Sequence, residues 1–138
     1  MGRQPRPEPS ASVITMTQRE AEPLDLDGVV FGELLDFMEP AEARQLFAEF
    51  REDTLRYLAT LRDVEAGHAS MTKLRDDMHA LSGAARIVGA MRLAALARRI
   101  EYGEESDIRG RASVWRAELE RAISVCTRLI EQRLSAAA

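Results

Sequence analysis

Cysteine occurs once in the 138 residues, at Cys126. An intramolecular disulfide and a cysteine-based metal cluster are therefore excluded. Lysine also occurs once, at Lys73, although Lys and Arg together number 19 against 23 Asp and Glu. The net charge of −4 argues against a broad basic surface for nucleic acid. Aromatic residues are only 5% of the chain while Ala and Leu abound, which favours helices over sheets. Strand-like alternation, hairpin turns and internal repeats are missing. So are a nucleophilic-serine elbow, a Gly-rich phosphate loop and a nucleotide motif. No apolar run approaches the ~18 residues of a membrane span, and no signal peptide is evident, so a cytoplasmic location and no membrane partner are expected.

What is present is a soluble globular balance, 46% hydrophobic and 30% charged, long enough for one domain with a real core. Residues 1–23 carry Pro5, Pro7, Pro9 and Pro23 without helical period and read as a disordered tail, though Val13–Met16 is a small apolar patch. Residues 24–135 read as the folded domain. Asp27 is a plausible N-cap for a short helix with Val29, Val30, Phe31, Leu34, Leu35, Phe37 and Met38. Pro40 opens a long helix whose stripe runs through Leu46, Phe47, Phe50, Thr54, Tyr57, Leu58, Leu61 and Val64. Gly67 stops it, and Ser70 caps the next. Gly89 ends or kinks that third helix, and the next carries Leu93, Leu96, Ala97 and Ile100 up to Gly103. Glu104 to Asp107 read as a loop before a last long helix with Val114 or Trp115, Leu119, Ala122, Ile123, Cys126, Leu129 and Ile130 on its stripe. Short connections make neighbours antiparallel. The expected fold is all-α, an up-down four-helix bundle with a short extra N-terminal helix, with all apolar stripes used within one monomer.

In the third helix, Met71, Leu74, Met78, Leu81, Ala85 and Val88 form one apolar stripe. At ~100° per residue His79 lies roughly 130° from its middle, pointing to water. Arg75, Asp76, Ser82 and Gly83 lie one turn from it, and Arg86 two turns on. A glycine inside a helix costs about 1 kcal/mol relative to alanine. At position 83 it removes a side chain that would crowd the imidazole, unless it serves close helix packing. Asp76, Ala80, Gly83 and Ile87 share the exposed flank and suit a transient partner interface. Ile87 either caps the corner at Gly89 or meets that partner.

A neutral imidazole is a good nucleophile near pH 7, with an unperturbed pKa of about 6.5. A self-sufficient histidine enzyme also needs a base, an orienting acid or an oxyanion site, and the sequence offers no such constellation. His79 reads as half of a reaction whose other half is on a partner. Arg75 and Arg86 could offset the charge of a phosphoryl group on the ring.

The run His79-Ala80-Leu81-Ser82-Gly83-Ala84-Ala85-Arg86-Ile87-Val88-Gly89-Ala90, followed by Leu93, Leu96, Ala97, Ile100 and Glu101, resembles the histidine-containing phosphotransfer (HPt) domain. The resemblance implies a helical bundle that relays a phosphoryl group in two-component signal transduction. It makes His79 the phosphoacceptor, with Gly83 giving a receiver domain access. Partners would be response-regulator receiver domains and/or a hybrid histidine kinase. The receiver would bring the aspartate and the magnesium, so the chain itself would need no metal or cofactor and would be a carrier rather than an enzyme. The family usually has lysine three residues after the histidine, where this chain has Ser82. Ser82 can donate a hydrogen bond there, and Arg75 or Arg86 could take the cationic role, although arginine does not simply replace lysine. The departure bears on transfer rate and phosphohistidine lifetime.

Two other readings compete. Glu65-Ala66-Gly67-His68 has the Glu-x-x-His spacing of di-iron bundles, but Gly67 breaks the helix where both ligands must share a face. The alternative function is an HPt-like adaptor that binds a signalling partner without phosphotransfer.

Overall fold

The computed structural model describes residues 22–137 and is helical almost throughout. Its helices are α1 (Gly28–Asp36), α2 (Pro40–Glu65), α3 (Met71–Val88), α4 (Met91–Tyr102), α5 (Glu105–Gly110) and α6 (Ala112–Ala137). The expected tail lies outside the described residues up to position 21.

Local chemistry sets the boundaries. Asp27 accepts from the backbone N–H groups of Val29 and Val30, at 3.0 and 3.2 Å, and starts α1. Pro40 opens α2 where its missing N–H costs nothing, and Glu42 reaches back to the N–H of Glu39 at 2.9 Å. Ser70 Oγ accepts from the Lys73 N–H at 3.1 Å and starts α3. Gly89 closes α3 at φ +91°, while the Ala90 N–H returns to the Ala85 carbonyl at 2.8 Å. Glycine is required there twice over. The left-handed backbone disfavours a side chain, and a Cβ would stand 3.0 Å from the carbonyl oxygen of Asp27. The Asp27 N–H in turn donates to the Gly89 carbonyl at 2.7 Å, seating α1 on the α3–α4 corner.

Helices α2, α3, α4 and α6 close a ring of neighbours, α2 touching α3 and α6, and α4 touching α3 and α6. The α2–α6 pair is antiparallel: Arg51 meets Glu131, Arg62 meets Glu120 and Glu65 meets Arg116, one number rising as the other falls. The centre is filled by Leu61, Leu74, Met78, Leu81, Ala97, Ile100 and Leu119, all fully buried. Burying each large apolar side chain stabilises the bundle by about 1.5–3 kcal/mol relative to exposure. Phe31 of α1 joins this core against Phe47, ring centroids 5.0 Å apart. Trp115, rather than Val114, takes the buried position on α6. Cys126 is buried too, and the loss of solvent pushes its thiol up to about 11, so it packs as an unreactive group.

One expectation is corrected. The segment after α4 is not a loop, because Glu105–Gly110 forms the short helix α5. Its apolar residue Ile108 is fully buried against Gly103, close enough that a Cβ on that glycine would lie 2.8 Å from Ile108 Cδ1. Six residues with one apolar anchor carry too little periodicity to read as a helix from sequence.

Candidate functional site

The apolar stripe of α3 fixes where its other face points. With Met78, Leu81 and Ala85 fully buried, His79 is turned outward, its side chain 76% exposed. The ring is nevertheless held. Its Nδ1 lies 2.9 Å from Oε2 of Glu101 on α4, a carboxylate side chain only 12% exposed. Glu101 follows the buried Ile100 and sits at the edge of the α4 stripe, which aims it along the α3–α4 seam. A carboxylate offers only acceptors, so Nδ1 carries the proton and donates. The lone pair is then on Nε2, the nitrogen away from the carboxylate.

Arg75 lies one turn before His79, but its guanidinium is turned to the end of α4. Nη1 donates to the carbonyls of Glu101 and Gly103 at 2.6 and 2.9 Å. Terminal carbonyls of a helix lack intrahelical partners and carry the negative end of its dipole, so an arginine is well placed there. Arg75 was expected beside a phosphoryl group; its Nη1 is engaged at the end of α4, where it fixes the backbone of the residue that meets His79.

Ser82, expected to donate a hydrogen bond near the phosphoryl oxygens, is 3% exposed, and its Oγ accepts from Arg86 Nη2 at 3.1 Å. The seam between α3 and α4 covers it, since residue 82 lies next to Leu81 and one turn from Met78 and Ala85 on the core side. Arg86 itself is exposed.

Asp76, Ala80, Gly83 and Ile87 are all exposed, Ile87 by 63%, so it does not cap the corner. A Cβ added at Gly83 would meet no atom within 4 Å. The glycine is therefore neither a packing contact nor a relief of crowding on the imidazole within this chain. The open space it leaves faces outward, toward whatever approaches. His68 sits exposed after the turn that ends α2, and Glu65 is committed to Arg116 at 2.7 Å.

Sequence reasoning missed Glu101 as a site residue. Twenty-two positions separate it from His79, and the single available signal was the glutamate closing the Leu-rich segment. Outside the site, Arg98 and Tyr102 stack on α4, guanidinium 5.3 Å from the ring centroid, and Arg98 shares with Arg86 a groove of about 770 Å³ beside Leu24 and Met91.

A model of the Hpt domain matches residues 45–125, which include α3, α4 and the His79–Glu101 pair. The match covers more than half of the chain, and the chain belongs to the Hpt domain family. Hpt domains serve histidine phosphotransfer in phosphorelays as phosphoryl carriers, working with receiver or kinase components. Comparison with curated proteins and with solved structures finds no match. No helix among the described residues is long and apolar enough to cross a membrane.

Proposed function

We propose that His79 is the phosphoacceptor and that it exchanges a phosphoryl group with the aspartate of response-regulator receiver domains in a multistep phosphorelay. The observation that carries this reading is the pairing of an exposed ring with a buried carboxylate on one nitrogen alone. Glu101 holds Nδ1–H, so the nucleophilic lone pair is on Nε2, beside the open flank at Gly83. Nε2 attacks the phosphorus of an aspartyl phosphate. The new N–P bond forms, the acyl O–P bond breaks, and the bonding pair leaves with the aspartate carboxylate. The ring becomes a phosphorylated imidazolium whose Nδ1 proton stays directed at Glu101. The negative carboxylate stabilises the cation as it develops, which favours transfer without any base on this chain.

In this reading the receiver brings the magnesium and the aspartate, and Asp76, Ala80, Gly83 and Ile87 form the surface it docks on. The carrier acts as a monomer in the cytoplasm, where its receivers are. Incubating the protein with phosphorylated receiver domains of its organism tests the proposal. Wild type is expected to gain an acid-labile phosphoryl group and a His79→Gln variant to gain none. Specific binding of a receiver by wild type, with no label at any time, would instead favour the adaptor reading, which the replacement of the family lysine by a buried serine supports.

A further inference from the structure

Resting on His79 as the acceptor, we propose that Ser82 and Arg86 form one cationic device: Ser82 anchors the guanidinium, and Arg86 neutralises the phosphoryl oxygens carried on His79. A phosphoryl group on a side chain bears roughly two negative charges near neutral pH. During transfer its charge spreads over three equatorial oxygens, which a nearby cation stabilises. The cations around this face differ in what already holds them. Lys73 is paired with Asp77 at 3.3 Å, and Arg75 turns its Nη1 to two carbonyls at the end of α4. Arg98 lies over the Tyr102 ring. Arg86 has no carboxylate partner among the described residues; its partner is the neutral hydroxyl of Ser82.

Helix geometry gives that hydrogen bond a direction. Seven residues after His79, Arg86 returns to within about 20° of the same heading but some 10 Å further along the axis. Bonding to Ser82 draws its head group back one turn, to the turn that follows the histidine. Gly83 lies on the opposite side of the His79 heading from Ser82, with no atom within 4 Å of where its Cβ would be. The face beside the imidazole is thus open on its Gly83 side. Ser82 is too buried to reach out to a ligand in solvent, so its hydroxyl serves as a fixed post rather than as a phosphate contact. A guanidinium anchored by one N–H keeps its remaining donors for phosphoryl oxygens.

Labelling with phosphoramidate, a small donor that needs no receiver, isolates this effect. Nε2 forms the N–P bond, the donor's P–N bond breaks, and ammonia leaves with that pair, Nδ1 keeping its proton. Arg86→Ala is expected to slow phosphohistidine formation about fivefold, the scale of one partly exposed charge pair, and to flatten its dependence on ionic strength. Ser82→Ala should slow it by a smaller factor. Arg86→Lys should restore part of the rate together with the salt dependence, which a merely structural role would not do. Arg98→Ala should label like wild type. The inference is overturned if Arg86→Ala labels at the wild-type rate with wild-type salt dependence, or if the loss appears in Arg98→Ala instead. Wild type that takes no label from phosphoramidate or from any receiver would remove the acceptor assignment itself. Labelled wild type with an indifferent Arg86→Ala removes the Arg86 device alone.

Discussion

The α2–α6 seam and the α3–α4 seam are built with the same kinds of side chain, yet they end in opposite chemical states. Along α2–α6, charges neutralise one another. Arg62 and Arg116 both reach Glu120, Arg116 also holds Glu65 at 2.7 Å, and Arg51 faces Glu131. Exposed pairs of this kind contribute about 0–1 kcal/mol each. Along α3–α4, the arginine binds backbone carbonyls, the serine binds an arginine, and the carboxylate holds the imidazole ring. Nothing on that seam is cancelled by its own opposite. A satisfied seam is a surface, whereas a seam that spends its charges on orientation leaves a nucleophile exposed and aligned.

Substitutions can break this contrast at different depths. The largest effect is expected from His79→Gln, which should abolish acid-labile labelling by a phosphorylated receiver while leaving the melting temperature near wild type. Residual labelling at the wild-type level would place the acceptor elsewhere. Next, Gly83→Leu should slow transfer from the receiver more than tenfold, because the outward space is filled. The helix itself should be unharmed or stabilised by up to about 1 kcal/mol, since leucine is the better helix former and a Cβ there meets nothing. Receiver kinetics and a thermal melt on one preparation check both halves. Glu101→Gln keeps an acceptor for Nδ1–H but loses the charge facing the imidazolium. Charge-assisted bonds are roughly twice as strong as neutral ones, so transfer should fall about tenfold, whereas Glu120→Gln on the other seam should leave it unchanged. Equal rates for the two variants would erase the distinction between the seams.

The smallest effect belongs to pH. The hydrogen bond from Arg62, with Arg116 nearby, holds the Glu120 carboxyl below its ordinary 4.5. A depressed carboxylate lends stability that is present above the unfolded value and lost as pH falls through the lower folded value. Stability of the α2–α6 seam should therefore decline slightly below about pH 4.5, and the decline should vanish in Glu120→Gln. Chemical denaturation across that window measures it, and an unchanged pH profile in the variant would show that the pair contributes nothing.

Much of this was legible in the chain. Asp27, Ser70, Pro40 and Gly89 mark helix ends because caps and φ preferences act over three or four residues. The stripe through Met78, Leu81 and Ala85 placed His79 outside because period and burial are linked on a helix. Three site residues were not legible in their roles. Glu101 lies on another helix, and its distance from His79 depends on how far α4 is slid along α3. Arg75 could reach either solvent or the end of α4, and the unpaired carbonyls there decided it. Ser82 fell inside because α4 covers that edge of α3, which the width of an apolar stripe does not reveal.

The order of residues alone fixed an amphipathic α3, an outward histidine and a glycine one turn beyond it, since these follow from 3.6 residues per turn and local backbone preferences. Packing of α4 against α3 decided the rest: which ring nitrogen meets the carboxylate, which arginine turns to the end of α4, and which turns to Ser82. Those depend on contacts between chemically ambivalent side chains from separate helices, and only their relative placement chooses among partners that the sequence offers equally.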